Sequence, residues 1–250
     1  MTKWYRDCVS IQVEKYADAW AKRHVGAAFT GDVSAALALS VALDNGKRGA
    51  VARAMWEAKV PREAYGAYLA SVWSHDHGLV IEAAQSRPRL VHMFRYARFE
   101  LPATLSPLVQ VWRGTRHCDL QEAMQGYSWT TDRDVACWFA MRFGDGVKRP
   151  LVLTAQVDRA DILLFDDARS EREVVLARPP KFVSIDGEVT GWRRGHQRSS
   201  DLWDANRMRV VTKPRPGAPT PKSLQPWSKA GIATVTAPNS AMVGTSALTS

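Results

Sequence analysis

Cysteine is scarce in this chain: three residues in 250, at Cys8, Cys118 and Cys137. They are too few and too scattered for a disulfide framework or a four-thiolate zinc site, which points to a reducing compartment. Long apolar runs are missing as well. No uninterrupted stretch approaches the ~18 residues that a membrane span requires. The opening MTKWYRDCVSIQVEKYADAW carries charge throughout, without the apolar centre of a secretory signal. The expectation is a cytoplasmic protein with no membrane partner. Phosphate-cradling glycine loops of the P-loop or dinucleotide-fingerprint type are also absent, which argues against a Rossmann-type nucleotide site. His75 and His77 stand two apart in SHDHG, but no neighbouring Cys, His or carboxylate cluster completes a metal site, so none is expected. His117 and Cys118 form no Ser-His-Asp or Cys-His pattern that order alone would support.

What is present is ordinary for a folded domain. Hydrophobic residues make up 46% and charged residues 24%, which excludes a wholly disordered, collagenous or coiled-coil chain. A chain of this length buries roughly 70–75% of its unfolded surface and needs no staples. The ten tryptophans read first as core fillers. The net charge of +9 is unevenly spread: Lys213, Arg215, Lys222 and Lys229 lie in a C-terminal stretch without one acidic residue. A second basic concentration runs from Arg178 through Arg193, Arg194, Arg198, Arg207 and Arg209, interleaved with Trp192 and Trp203. That pattern suits either an anionic partner or a solvated face.

The fold class expected is α+β. Residues 1–105 read as a helical N-terminal region. In DVSAALALSVALDNG, Asp32 caps the start and Gly46 the end of one helix. KRGAVARAMWEAKV stops before Pro61, PREAYGAYLASVW restarts there, and RPRLVHMFRYARF ends at Pro102. Between 106 and 212 the texture changes. LVQVW, KRPLVLTAQV, ADILLF, REVVLA and KFVSI have strand length and β-branched content. One helix, DRDVACWFAMRF, interrupts them, capped by Asp132 and stopped by Gly144. The connections are too short for repeated parallel crossovers. Residues 213–250 hold six of the thirteen prolines, many Ser, Thr, Ala and Gly, and no periodicity; the expectation is a disordered basic tail.

Three local features carry chemistry. VWRG at 111–114 ends a strand on an arginine, whose rigid fork suits phosphate or carboxylate, followed by a glycine that admits close approach. GYSWTTDRDVACWFA at 126–140 places Ser128 and Thr130 two apart, so both hydroxyls share a face. SEREVVLA at 170–177 sets Glu171 and Glu173 two apart at a strand start, aiming two carboxylates at one place. Like charges so placed raise the pKa of one, and paired carboxylates serve chemistry at a glycosidic carbon. Each feature alone also reads as a surface turn, a capped strand edge or a solvated edge.

Taken in this order, VWRG, SWT followed by VACWFA, and EREVVL resemble the ADP-ribosyltransferase family of the Arg-Ser-Glu, cholera-toxin-like type. The resemblance covers about residues 108–192. Trp129 and Thr130 depart from that family's Ser-Thr-Ser element but keep the two same-face hydroxyls. The resemblance implies a mixed β-sandwich catalytic core at 106–212 and NAD as substrate, with no metal. It implies that Arg113 grips the phosphate and ribose portion, that the Gly114 backbone lies near the nicotinamide amide, and that Ser128 and Thr130 belong to the NAD site. Ser128 would hold Glu173, the catalytic carboxylate, while Glu171 would engage the nucleophile. The loop FDDARS at 165–170 would meet the acceptor, with Asp166 and Asp167 attracting a cationic group. Trp138 or Phe139 would line the nicotinamide pocket or, at their helical spacing, the core. The implied activity is mono-ADP-ribosyl transfer to a macromolecule, with protein arginine favoured over RNA or DNA, in a bacterial or phage toxin or effector. An antitoxin or inhibitor protein is a further partner so implied. The rivals are an NAD glycohydrolase and a non-catalytic binding module.

Overall fold

Most helices begin where a short polar side chain can close the first turn. Asp18, Asp32, Asp44, Ser86, Asp119 and Asp132 each accept a backbone N–H two or three residues on. They open α2 (Ala19–Thr30), α3 (Val33–Ala42), α4 (Asn45–Glu57), α6 (Arg87–Ala97), α7 (Leu120–Met124) and α8 (Arg133–Met141). α1 (Lys3–Tyr16) precedes them, α5 (Arg62–Ala84) follows Pro61, and α9 (Val189–Thr212) comes last. The computed structural model describes residues 3–143 and 149–212. The expected disordered tail at 213–250 and the expected stop at Gly144 lie outside them.

Three boundaries differ from the sequence expectation. Gly46 does not end a helix: α3 stops at Leu43, and Asp44 caps α4 with Gly46 in its first turn. α6 ends before Pro102, because Arg98 adopts a left-handed conformation and donates its N–H to Phe94 O. α5 runs on through SHDHG to Ala84, with a kink where Asp76 leaves helical geometry (φ −132°, ψ 35°). Arg48 of α4 pairs with Asp76 at 2.6 Å at that kink. Gly49 packs against the same stretch, where a Cβ would overlap the Leu79 carbonyl. No helix among the described residues is long and apolar enough to cross a membrane.

The strands are β1 (Leu108–Thr115), β2 (Ser128–Thr130), β3 (Leu151–Asp158), β4 (Ile162–Asp166), β5 (Glu173–Leu176) and β6 (Val183–Ile185). They form one sheet in the order β4-β5-β2-β1-β3-β6, and every pairing is antiparallel. The architecture is thus α+β, but the mixed sandwich of two sheets is replaced among the described residues by one antiparallel sheet. The reason is β2, which pairs with β5 on one side and with β1 on the other. Its junction with β1 is a single position, Trp112 opposite Thr130.

The described residues up to 206 form one unit. Within it, the helical stretch and the strand stretch share a core. Leu163 and Leu164 of β4 and Val175 of β5 are buried with Phe29, Leu39, Met55, Tyr65, Tyr68, Trp73 and Phe94. The other sheet face buries Val109, Val111, Trp129, Leu153, Val174 and Leu176. α9 docks on α8, with Trp192 buried beside Ala136 and Cys137. Arg198 pairs with Asp134 at 2.5 Å, and a Cβ at Gly195 would come within 2.8 Å of the Cys137 sulfur. The arginine- and tryptophan-rich stretch is thus in part a docked helix. Arg178 pairs with Asp161 at 2.8 Å, and Trp203 stacks edge-on against Trp138 at 4.1 Å.

The shared core makes a prediction. Leu164→Ala should cost about 2–5 kcal/mol, as buried leucine truncations do. Far-ultraviolet circular dichroism and tryptophan fluorescence should then report one displaced unfolding transition. Two separated transitions would show that helices and sheet unfold independently.

Candidate active site

The β2–β5 register brings the first pair of polar residues together. Thr130 lies opposite Glu173 and Ser128 opposite Val175, so Ser128, Thr130 and Glu173 share one face of the sheet. Ser128 sits diagonally from Glu173, within side-chain reach, and its hydroxyl donates to Glu173 Oε1. Thr130 does something else: its hydroxyl donates to the Glu171 carbonyl oxygen at 2.7 Å and accepts the Asp132 N–H at 3.0 Å. It fastens the loop before β5 to the helix cap of α8.

A second donor to Glu173 comes from the helical stretch. Trp73 of α5, buried in the core, donates its indole N–H to Glu173 Oε1 at 3.0 Å. Oε2 takes no hydrogen bond from the described residues. Burial pushes the Glu173 carboxyl up to about 7. The Trp73 hydrogen bond opposes that shift, nearby Glu171 and Asp166 add to it, and Arg169 offsets it. His77, one turn beyond Trp73 and with its ring tilted against the indole at 5.7 Å, is shifted the other way. Burial first, then the charges of Arg113, Arg169 and Arg142, lower its pKa and favour the neutral ring.

Arg113 enters from β1. Alternation puts it on the opposite side of that strand from Trp112, and its guanidinium reaches across to donate Nη1 to the Ser128 carbonyl. Gly126 makes this possible, since a Cβ there would collide with the guanidinium. Burial depresses the Arg113 pKa while Cys118 and Glu173 oppose the shift, and its buried Nε has no hydrogen-bond partner. Gly114 has a packing reason for being glycine: a Cβ would run into the Ala136 carbonyl of α8.

Glu171 lies outside β5, contrary to the expectation of two carboxylates on one strand. Ser170 (φ 58°) and Arg172 (φ 46°) flank it in left-handed backbone, uncommon for residues with a Cβ. The loop is held at both ends: Asp166 accepts the Ala168 N–H, Asp167 the Arg172 N–H, and Thr131 donates to the Arg172 carbonyl. Asp166 and Asp167 therefore brace the loop. Glu171 Oε2 pairs with Arg169 Nη2 at 2.6 Å.

These elements enclose a cavity of about 360 Å³, within the range of small-molecule sites. Arg113, Gly114, Ser128, Thr130, Glu171 and Glu173 all line it. So do Trp73, His77, Arg116, Phe139, Arg142 and Arg169, which the motifs did not single out as a set. Arg116 donates to the Arg142 carbonyl at 3.2 Å, and the buried Nε of Arg142 is unpartnered. Four guanidiniums, of Arg113, Arg116, Arg142 and Arg169, line one cavity, a charge that fits an anionic ligand bearing phosphates. His75 lies apart, its ring nitrogen on the Ser71 carbonyl. No group of three or more metal-ligating side chains occurs among the described residues. Comparison with models of protein families, with curated proteins and with solved structures returned no match.

The raised Glu173 pKa bears on stability. A carboxyl whose folded pKa lies above its unfolded value of 4.5 favours the fold fully below that value, and the contribution is lost as pH rises through about 7. Glu173→Gln keeps an oxygen to accept from Ser128 and Trp73 but carries no charge. The variant should match the wild-type melting temperature near pH 4.5 and exceed it at pH 8, by up to about 3 kcal/mol in stability. A difference that does not change with pH would contradict a buried, raised carboxyl.

Proposed function

We propose that the cavity binds NAD and that the chain is a mono-ADP-ribosyltransferase, with protein arginine as acceptor. The observation that carries this reading is the convergence of Arg113, the Ser128–Glu173 hydrogen bond and Glu171 on one cavity, from positions spread over β1, β2 and the loop before β5. In this reading Arg113, whose side chain lines the cavity beside Ser128 and Glu173, holds the phosphate and ribose portion of the dinucleotide. Arg116 and Arg142 supply further positive charge to the diphosphate. Glu173, ionised above about pH 7, faces the ribose C1′, where positive charge develops as the bond to nicotinamide breaks. Ser128 and Trp73 fix its orientation by holding Oε1 from two sides. Such a preorganised charge acts without reorganisation at the moment of reaction.

Glu171 takes the acceptor. Its carboxylate already binds a guanidinium, that of Arg169, at 2.6 Å, which favours arginine over a nucleobase as the group recognised. Part of the basic stretch that suggested nucleic acid is paired internally, Arg178 with Asp161 and Arg198 with Asp134.

The test separates the two carboxylates. Glu173→Gln should lower both nicotinamide release and acceptor labelling by about 10²–10³, the usual cost of removing one such electrostatic contact. Glu171→Gln should retain nicotinamide release and lose labelling of protein. Labelled NAD incubated with a cell lysate, fractionated into protein and nucleic acid, reads both. Full activity of Glu173→Gln would overturn the assignment. Label in the nucleic acid fraction, or only free ADP-ribose, would overturn the acceptor.

A further inference from the structure

The Glu171 partner is a side chain of the same chain, two residues away, and it lies in the cavity. Arg169 Nη2 stands 2.6 Å from Glu171 Oε2, and both side chains line the wall that Glu173 and Arg113 also line. The pair is not held for stability: Arg169 is half-exposed, and exposed ion pairs contribute little to folding. Its placement is nonetheless specific. Thr130 and Thr131 tie the Glu171 and Arg172 carbonyls to the end of β2. Asp167 closes the other side through the Ser170 and Arg172 backbone N–H groups. Left-handed backbone on both sides of Glu171 turns its carboxylate into the cavity rather than along the strand.

From this we infer that Arg169 is a modification site: the chain transfers ADP-ribose to its own Arg169. The inference rests on the NAD-cleaving reading above and adds the identity of one acceptor. The chemistry balances within the site. A lone pair of Arg169 Nη2 forms the bond to ribose C1′ while the C1′–nitrogen bond to nicotinamide breaks. The pyridinium nitrogen keeps that electron pair and nicotinamide leaves neutral. The proton displaced from Nη2 passes to the Glu171 carboxylate and from there to water. Once modified, Arg169 no longer presents a free guanidinium to Glu171, so the reaction stops after one transfer per chain at this residue.

The full chain, purified and incubated with NAD, is analysed by peptide mass spectrometry with nicotinamide release followed in parallel. The expected result is the mass of one ADP-ribose on Arg169, with trypsin failing to cut after it, and no such peptide from Glu173→Gln. The fraction modified per unit time should not change on tenfold dilution of the protein, because attacking and reacting groups share one chain. Arg169→Lys should abolish the mark at that position. Nicotinamide release with Arg169 unmodified, or with the group on Arg116 or Arg142 instead, would overturn this inference and leave the NAD-cleaving reading standing. A rate of marking proportional to protein concentration would overturn the intramolecular route. Absence of nicotinamide release by the wild-type chain would overturn both.

Discussion

One carboxylate oxygen, Oε1 of Glu173, receives hydrogen bonds from the sheet and from the helices: Ser128 on the neighbouring strand and Trp73 on α5, 100 residues earlier in the chain. A carboxylate taken out of water is costly unless hydrogen bonds and opposite charge compensate, and here the compensation is partial, because burial still lifts the pKa to about 7. The other elements around the site can be understood from that compromise. The β2–β5 register puts Ser128 diagonally across from Glu173, and the core shared by β4, β5 and α5 brings the indole within reach. The cation that offsets the Glu173 shift is Arg169, while Arg113, admitted by the missing side chain of Gly126, is itself influenced by the Glu173 charge.

The cavity balances charge without neutralising each group in a tight pair. Arg113, Arg116, Arg142 and Arg169 share its walls with Glu122, Glu171 and Glu173, and two buried Nε atoms remain without partners. Buried polar groups are usually satisfied, and the Nε atoms of Arg113 and Arg142 are exceptions within the packed wall of the cavity. His77, whose pKa is lowered first by burial and then by the surrounding cations, adds a polar edge to the same wall.

Much of this was legible in the sequence. Strand length and β-branched content located β1, β3, β4, β5 and β6, and period-two spacing put Ser128 and Thr130 on one face. Aspartate caps marked α3 and α8. The misses have physical causes. Nothing local distinguishes Trp73 from any other core tryptophan; only the rule that a buried indole N–H seeks an acceptor hints at its role, and that rule names no partner. Left-handed backbone at Arg172 cannot be anticipated from a residue with a Cβ, so the period-two spacing of Glu171 and Glu173 reads as one strand where the structure starts β5 at Glu173. Gly114 and Gly126 show the same limit. Both were needed for close approach, the first to α8 and the second to Arg113, and only the tertiary fold reveals which neighbour does the approaching. The single-position junction of β1 and β2 merged two groups of strands that spacing alone could not join.

In the proposed reaction Glu173 works as an anion in a site that resists its ionisation. The pH dependence of kcat/KM for nicotinamide release reads this out, because that parameter reports the free protein's essential groups. The expected rate climbs with pH on the acid side and levels off above an apparent pKa of about 7. A profile that is flat from pH 5 upward, or that falls as Glu173 ionises, would contradict it.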